Sequence, residues 1–165
     1  MEKIKLHPQK VSDAKSFFEI LNNKNFKYFA VCPKSIAEEV KFLKKSKESR
    51  RKNIAHNYSI IFNGKLVGGC GIKINQHRKY IAEIGYFVDE KYWGKGIATS
   101  AVRAAEDICF KKLKIKRIEI LMNPRNRASE KVAVKNGYKK EGLMKSAIKQ
   151  RGKYSDAFLY AKIKK

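Results

Sequence analysis

The sequence predicts a mixed α/β fold: a mostly antiparallel sheet of six or seven strands, with one parallel pair at its centre and about four flanking helices. Three observations carry this. "YSIIFNGKLVGG" (58–69) joins two β-rich runs through Asn63-Gly64, a dipeptide that supplies the positive φ angles of a type I′ hairpin. From Ile97 the apolar spacing becomes helical, with Ile97, Ala101, Ala105, Ile108, Cys109 and Leu113 on one face. A strand, a helix and a strand over 80–122 then force their two strands parallel, because a crossover of that length returns the chain to run in the same direction.

The elements follow in order. "KIKLH" (3–7) reads as a first strand. Phe17, Phe18 and Leu21 follow at helical spacing, with Ser12 or Asp13 as N-cap. Ser35 caps a second helix with Ile36, Val40 and Leu43 on one face, and the Ser35-to-Glu38 spacing fits a capping box. In the hairpin, Gly68, Gly69 and Gly71 mark a bulge or a close approach of backbone. "NQHRK" turns into a strand from Tyr80 to Val88, completing an antiparallel meander. After the long helix, "IKRIEIL" is a strand, and "NRASEKVAVKNG" is a short helix ending at Gly137, a good C′ residue. Two last strands, Tyr138 to Ser146 and Tyr154 to Ile163, turn through "KQRGK". One domain is expected over 1–165.

Composition narrows the class. No run of 18 apolar residues occurs, so no transmembrane helix is expected, and "MEKIKLHPQK" lacks the apolar stretch of a signal peptide. The cytoplasm is the expected compartment. Cys32, Cys70 and Cys109 are scattered, as are His7, His56 and His77, so neither a structural disulfide nor a metal site is expected. The net charge is +24, and 31 Lys stand against 11 Glu, which balanced ion-pair networks do not explain. Such a field attracts nucleic acid, the ribosome or a phosphate-rich cofactor; a lysine-biased composition explains it equally well.

"YWGKGIATSAV" (92–102) places two glycines between a strand and the N-terminus of a helix. That end carries free N–H groups and positive partial charge, and a glycine-lined turn lets them approach an anion. A plain strand-to-helix turn would use the same residues. Walker A is absent. "GKGIAT" approaches the Rossmann fingerprint, with Thr99 for the third Gly and Glu119 downstream, but the preceding meander and the short chain argue against two mononucleotide halves.

"FVDEKYWGKGIATSAV" resembles the acetyl-CoA-binding segment of the GNAT N-acetyltransferase superfamily, whose pattern [QR]-x-x-G-x-[GA] falls on Trp93 to Ala98, with Trp93 replacing Gln/Arg. "NPRNRASEKVAVKNGYKKEG" (123–142) is similar to the RimJ/RimL-like branch, which acetylates protein N-termini, through Asn126, Ser129, Val132, Lys135, Gly137, Tyr138, Glu141 and Gly142. "AEIGYFVD" and "RGKYSDAFLYA" fit as well, so the resemblance spans about 56–163.

The resemblance implies an acetyl-CoA cosubstrate, no metal and an amine acceptor, a protein N-terminus being the expected one. It assigns the pyrophosphate to the amides of Gly94, Lys95, Gly96, Ile97, Ala98 and Thr99, with Lys95 adding charge or simply solvated. The pantetheine arm is expected on the backbone of Phe87 and Val88, and Asn126 on the arm or the thioester end, as helix N-cap, or both. Glu83 is the expected general base, with Glu119 second; a hydrogen-bonded strand carboxylate is the plainer reading of Glu83. The usual tyrosine acid falls on Ala133, and Ser129 takes its place as partner of the sulfur or is simply a residue of the helix. Tyr138 reads as packing. Glu38, Glu39 and Glu83 would together supply an acidic pocket. A small-molecule amine acceptor, or a non-catalytic ribosome- or RNA-associated protein of this fold, are the alternatives.

Overall fold

The computed structural model describes residues 4–29, 31–150 and 152–165. Among them, seven strands form one sheet in the order β1-β2-β3-β4-β5-β7-β6. These are β1 Lys5–Pro8, β2 Ala55–Phe62, β3 Lys65–Ile74, β4 Ile81–Val88, β5 Arg117–Met122, β6 Lys139–Gln150 and β7 Lys153–Ile163. Four α-helices join them: α1 Ala14–Leu21, α2 Ile36–Arg51, α3 Ile97–Asp107 and α4 Arg127–Lys135. Each pairing is antiparallel except β4–β5, so the expected element order and central parallel pair are both observed.

Local chemistry explains the elements. Asn63 and Gly64 take φ of 48° and 75°, as a type I′ turn requires. The β2–β3 register slips where Ile60 faces Gly68 and Ile61 faces Leu66, making Val67 the extra residue of a bulge. A Cβ on Gly68 would lie 2.2 Å from the Phe87 carbonyl oxygen, so close approach holds as well. Gly137, at φ 78°, ends α4.

Four details differ from expectation. Asp13 is the N-cap residue of α1 but makes no side-chain bond to its first turn; its carboxylate accepts from Lys10 N–H (2.9 Å) and Ser59 Oγ (2.7 Å), closing a 3-10 turn at Val11–Asp13 and tying it to β2. Ser35 caps α2 by accepting from Glu38 N–H at 3.1 Å, but Glu38 reaches back to the Lys34 amide. The buried face of α2 is Glu39, Leu43 and Ser46, with Ile36 42% exposed, because the helix lies over a cavity. β6 continues to Gln150 past a second irregularity, between Met144 and Ile148, where Ser146 has φ 51°. Lys3 of the first strand and Arg151 of the last turn lie outside the described residues.

Successive side chains of β4 face opposite sides of the sheet. On one side, Ile84 and Val88 join the main core with Ile60, Ile72 and Ile118, covered by Ile97, Ala101 and Ala105 of α3. On the other, Phe87 meets Phe17 of α1 edge-on, beside Leu21 and Leu43, under α1 and α2. Each face of β4 therefore serves a different half of the molecule.

Candidate active site

β4 and β5 pair only at Ile81↔Arg117, Ala82↔Ile118 and Glu83↔Glu119. Beyond Glu83, β4 stays with β3 as far as Val88↔Gly68, and β5 stays with β7 as far as Met122↔Phe158. The strands part there and leave a gap with a free backbone edge. Asp89 N–H donates to Val67 O at 2.7 Å. Hydrogen-bonding direction alternates along an antiparallel pair, so Phe87 and Gly85 point at β3 while Tyr86 and Val88 point into the gap. Of the two residues expected on the cofactor arm, Val88 is therefore correctly aimed. Phe87 is not, its carbonyl packing against Gly68, and Tyr86 supplies the other open backbone position.

At the end of β4 the chain turns through Gly94 and Gly96, at φ 78° and 74°. An L side chain there costs about 1–2 kcal/mol per residue. Gly96 is the N-cap of α3 and has no side chain to cap with, so the amides of Ile97, Ala98 and Thr99 are left open at the positive end of the helix. Open amides at a helix N-terminus are the kind of group that receives an anion. Trp93, where the resemblance has Gln or Arg, donates from Nε1 to Val88 O at 2.7 Å, and its ring meets Phe26 edge-on. It fastens the turn to β4. The exposed Lys95 has its Nζ 5.3 Å from the Tyr92 ring centroid. Asn136 Nδ2 donates to Thr99 O at 3.1 Å, holding α4 against the first turn of α3.

Asn126 caps α4, its Oδ1 accepting from Ser129 N–H at 3.1 Å. Ser129 Oγ lies 2.8 Å from Tyr86 Oη, and burial pushes the Tyr86 phenol up to about 12. Sequence reasoning missed Tyr86; its signal was a hydroxyl two residues before Val88 on the strand that leads into the glycine turn. Ala133 is fully buried in the main core, and Tyr138 is buried there too.

On the α1–α2 side lies a cavity of about 220 Å³. Gly69, Gly71 and Gly85 border it, and a Cβ on Gly85 would meet nothing within 4 Å, leaving the floor open there. Glu83 lines this cavity. Burial raises its pKa, Lys73 across the β3–β4 pair opposes that, and Glu119 adds to it. Glu39 of α2 also lines it, 3% exposed, its pKa raised by burial and by Glu38. Glu119 is committed elsewhere, accepting from Arg117 Nε at 2.7 Å. The expectation that Glu39 and Glu83 share an acidic pocket thus meets the geometry, whereas Glu38 is spent at the start of α2.

Burial pushes both Cys70 and Cys109 up to about 12, so neither thiol is a nucleophile at neutral pH. Among the described residues no three His, Cys, Asp or Glu gather as metal ligands, and no helix is long and apolar enough to cross a membrane.

Known proteins share this architecture. A solved structure of RimL, a ribosomal L7/L12 α-N-protein acetyltransferase in complex with coenzyme A, superposes with a TM-score of 0.89 at 25% identity, over 98% of this chain and 94% of that one. The ribosomal-protein-serine acetyltransferase of Escherichia coli K12 is 30% identical over 68% of this chain and 63% of its own length. The L-amino acid N-acetyltransferase AaaT of the same organism is 31% identical over 62% of this chain and 64% of its own. The chain thus spans less than two-thirds of the length of the curated relatives it matches, from 64% down to 41%. The acetyltransferase (GNAT) domain profile matches residues 3–139, and the chain belongs to the GNAT acetyltransferase family.

Proposed function

We propose that the protein is an acetyl-CoA-dependent N-acetyltransferase of the cytoplasm whose acceptor is the α-amino group of a protein N-terminus, a ribosomal protein being the class its relatives' names suggest. One observation carries this reading. The stretch from Glu83 to Thr99 holds a half-buried carboxyl, a free strand edge and an uncapped glycine turn in succession, with a cavity on the far face.

Acetyl-CoA supplies an activated acetyl thioester. The amides from Gly94 to Thr99 hold the pyrophosphate, and Lys95 adds charge. The backbone of Tyr86 and Val88 aligns the arm as an added strand would, with Asn126 at its thioester end. The Val88 N–H faces the gap and stabilises negative charge on the carbonyl oxygen. Glu83 takes the proton from the amine. An α-amino group has pKa about 7.7–8.0, against about 10.4 for a lysine, so an N-terminus needs far less of a base. Ser129, held by Tyr86, hydrogen-bonds the departing sulfur. A phenol near 12 is a weaker acid than a thiol near 8.5, so this pair stabilises a thiolate rather than protonating it.

The test is mass spectrometry of a peptide with a free N-terminus and an internal lysine. Acetylation of the α-amine alone is expected; modification of lysine, or none, contradicts the reading. A small-molecule amine is the second reading, favoured by the small size of the cavity, about 220 Å³, and the similarity to AaaT; turnover of free amines and of no peptide would select it. The +24 charge suits work beside ribosomal RNA. RNA binding should then fall steeply with salt and exceed that of heparin at equal charge.

A further inference from the structure

The chain carries +24, yet the described residues lining the α1–α2 cavity include two carboxyls, Glu39 and Glu83, and a single cation, Lys73, exposed at its mouth. Glu39 is the unusual one. It sits at a helix position four residues before the core residue Leu43, where an apolar side chain would ordinarily pack. It is 3% exposed, and no hydrogen bond or ion pair holds its carboxyl among the described residues, so its oxygens open onto the cavity. Burying a carboxyl in that way is costly unless a partner arrives. Gln9 adds a second acceptor: its Oε1 is fully buried on the same lining with no partner. These groups accept hydrogen bonds, and an ammonium offers three donors and no acceptor. Most of the remaining wall is apolar, with Phe17, Leu21, Phe29, Phe42 and Phe87, and the Asn57 amide on it already donates to Ser46 Oγ. Aromatic faces attract a cation, and a polar side chain set against them loses its water without gaining a partner.

We propose that Glu39 is the acceptor-recognition residue of this site: it receives the entering ammonium, and the aromatic wall selects an acceptor whose first residue is apolar, such as Met, Leu or Phe. This rests on the N-acetyltransferase reading above and narrows its substrate class. Glu39 binds and orients the charged amine; Glu83 then removes the proton. Separate carboxyls therefore serve recognition and chemistry.

The experiment has two arms. In the first, peptides differing only in their first residue are compared as acceptors for the wild type and Glu39→Gln. Met-, Leu- and Phe-initiated peptides should be used at least tenfold better than Ser- or Asp-initiated ones. Glu39→Gln should raise their KM about tenfold to a hundredfold, the range for losing a hydrogen bond to a charged group, with little of the change in kcat. In the second, thermal stabilisation by 2-phenylethylammonium is measured without acetyl-CoA, against 2-phenylethanol. The ammonium should stabilise the wild type and not Glu39→Gln; the alcohol should treat the two proteins alike. If no peptide is acetylated but this binding difference is seen, the N-terminus reading fails and the Glu39 assignment stands. If the ammonium stabilises both proteins equally or neither, or polar-initiated peptides are used as well as apolar ones, the Glu39 assignment is wrong.

Discussion

The two sides of β4 are built from different materials. The side that faces the gap uses backbone: the edge of Tyr86 and Val88, and the open amides that follow Gly94. The side that faces α1 and α2 uses side chains: Glu83, Glu39 and a ring of phenylalanines. A backbone site recognises what every acetyl-CoA offers, a pyrophosphate and an amide-bearing arm. A side-chain site can differ between relatives of one fold, and so is the half that sets the acceptor. Trp93 and Phe87 pin the halves together, one through the Val88 carbonyl and one against Phe17.

If the halves are separable, substitutions should divide cleanly between them. Glu83→Gln should have the largest effect, lowering kcat about 10²- to 10⁴-fold, the range for a general base. Only ionised Glu83 accepts a proton, and its pKa is raised. The wild-type kcat/KM should therefore fall with decreasing pH through a limb above the ordinary carboxylate range, and the variant should lose that limb. Gly96→Val should weaken acetyl-CoA binding about 5- to 150-fold, corresponding to about 1–3 kcal/mol of backbone strain, with acceptor KM little changed. Calorimetry reads the first and steady-state kinetics the second. Gly85→Leu, whose side chain would enter the cavity, should do the reverse, raising acceptor KM about tenfold with the acetyl-CoA Kd within about twofold. Tyr86→Phe should lower kcat by about 2- to 10-fold, as one hydrogen bond to Ser129 is worth.

The smallest effect concerns stability. Glu39 has a folded pKa above its unfolded value, so the native state holds the extra proton. Stability from this group is undiminished below about pH 4.3 and falls as pH rises toward the folded pKa. Glu39→Gln should therefore melt a few degrees higher than wild type at pH 7, and alike at pH 4. An unchanged melting temperature at both pH values would mean that Glu39 is solvated.

How much of this was legible in the sequence follows from how each half is made. The glycine turn and the cap of α4 are contiguous motifs, so their spacing carried both the element order and the cofactor side. The turn Asn63-Gly64 likewise fixed its own hairpin. Register was less visible: Phe87 was expected in the gap, but a one-residue alternation turns its backbone to β3. The acceptor cavity draws Gln9, Phe17, Glu39, Asn57 and Glu83 from separate elements, and no local spacing joins them. Glu39 left one trace, a charge interrupting a helical apolar stripe, and it was read together with Glu38, which the fold uses at the start of α2. Tyr86 left only its place two residues before Val88, since its bond to Ser129 spans 43 residues.

The most direct test of the backbone-built half is a thermal shift with acetyl-CoA at about one hundred times its Kd, against ATP and NAD in moderate salt. Binding to the native state then adds about 2.7 kcal/mol, a rise of roughly 5–10 °C for a chain of this size. A rise selective for acetyl-CoA, and lost in Gly96→Val, is the result this account predicts. No rise, or an equal rise with ATP, would contradict it and leave the glycine turn a connector or a general anion site.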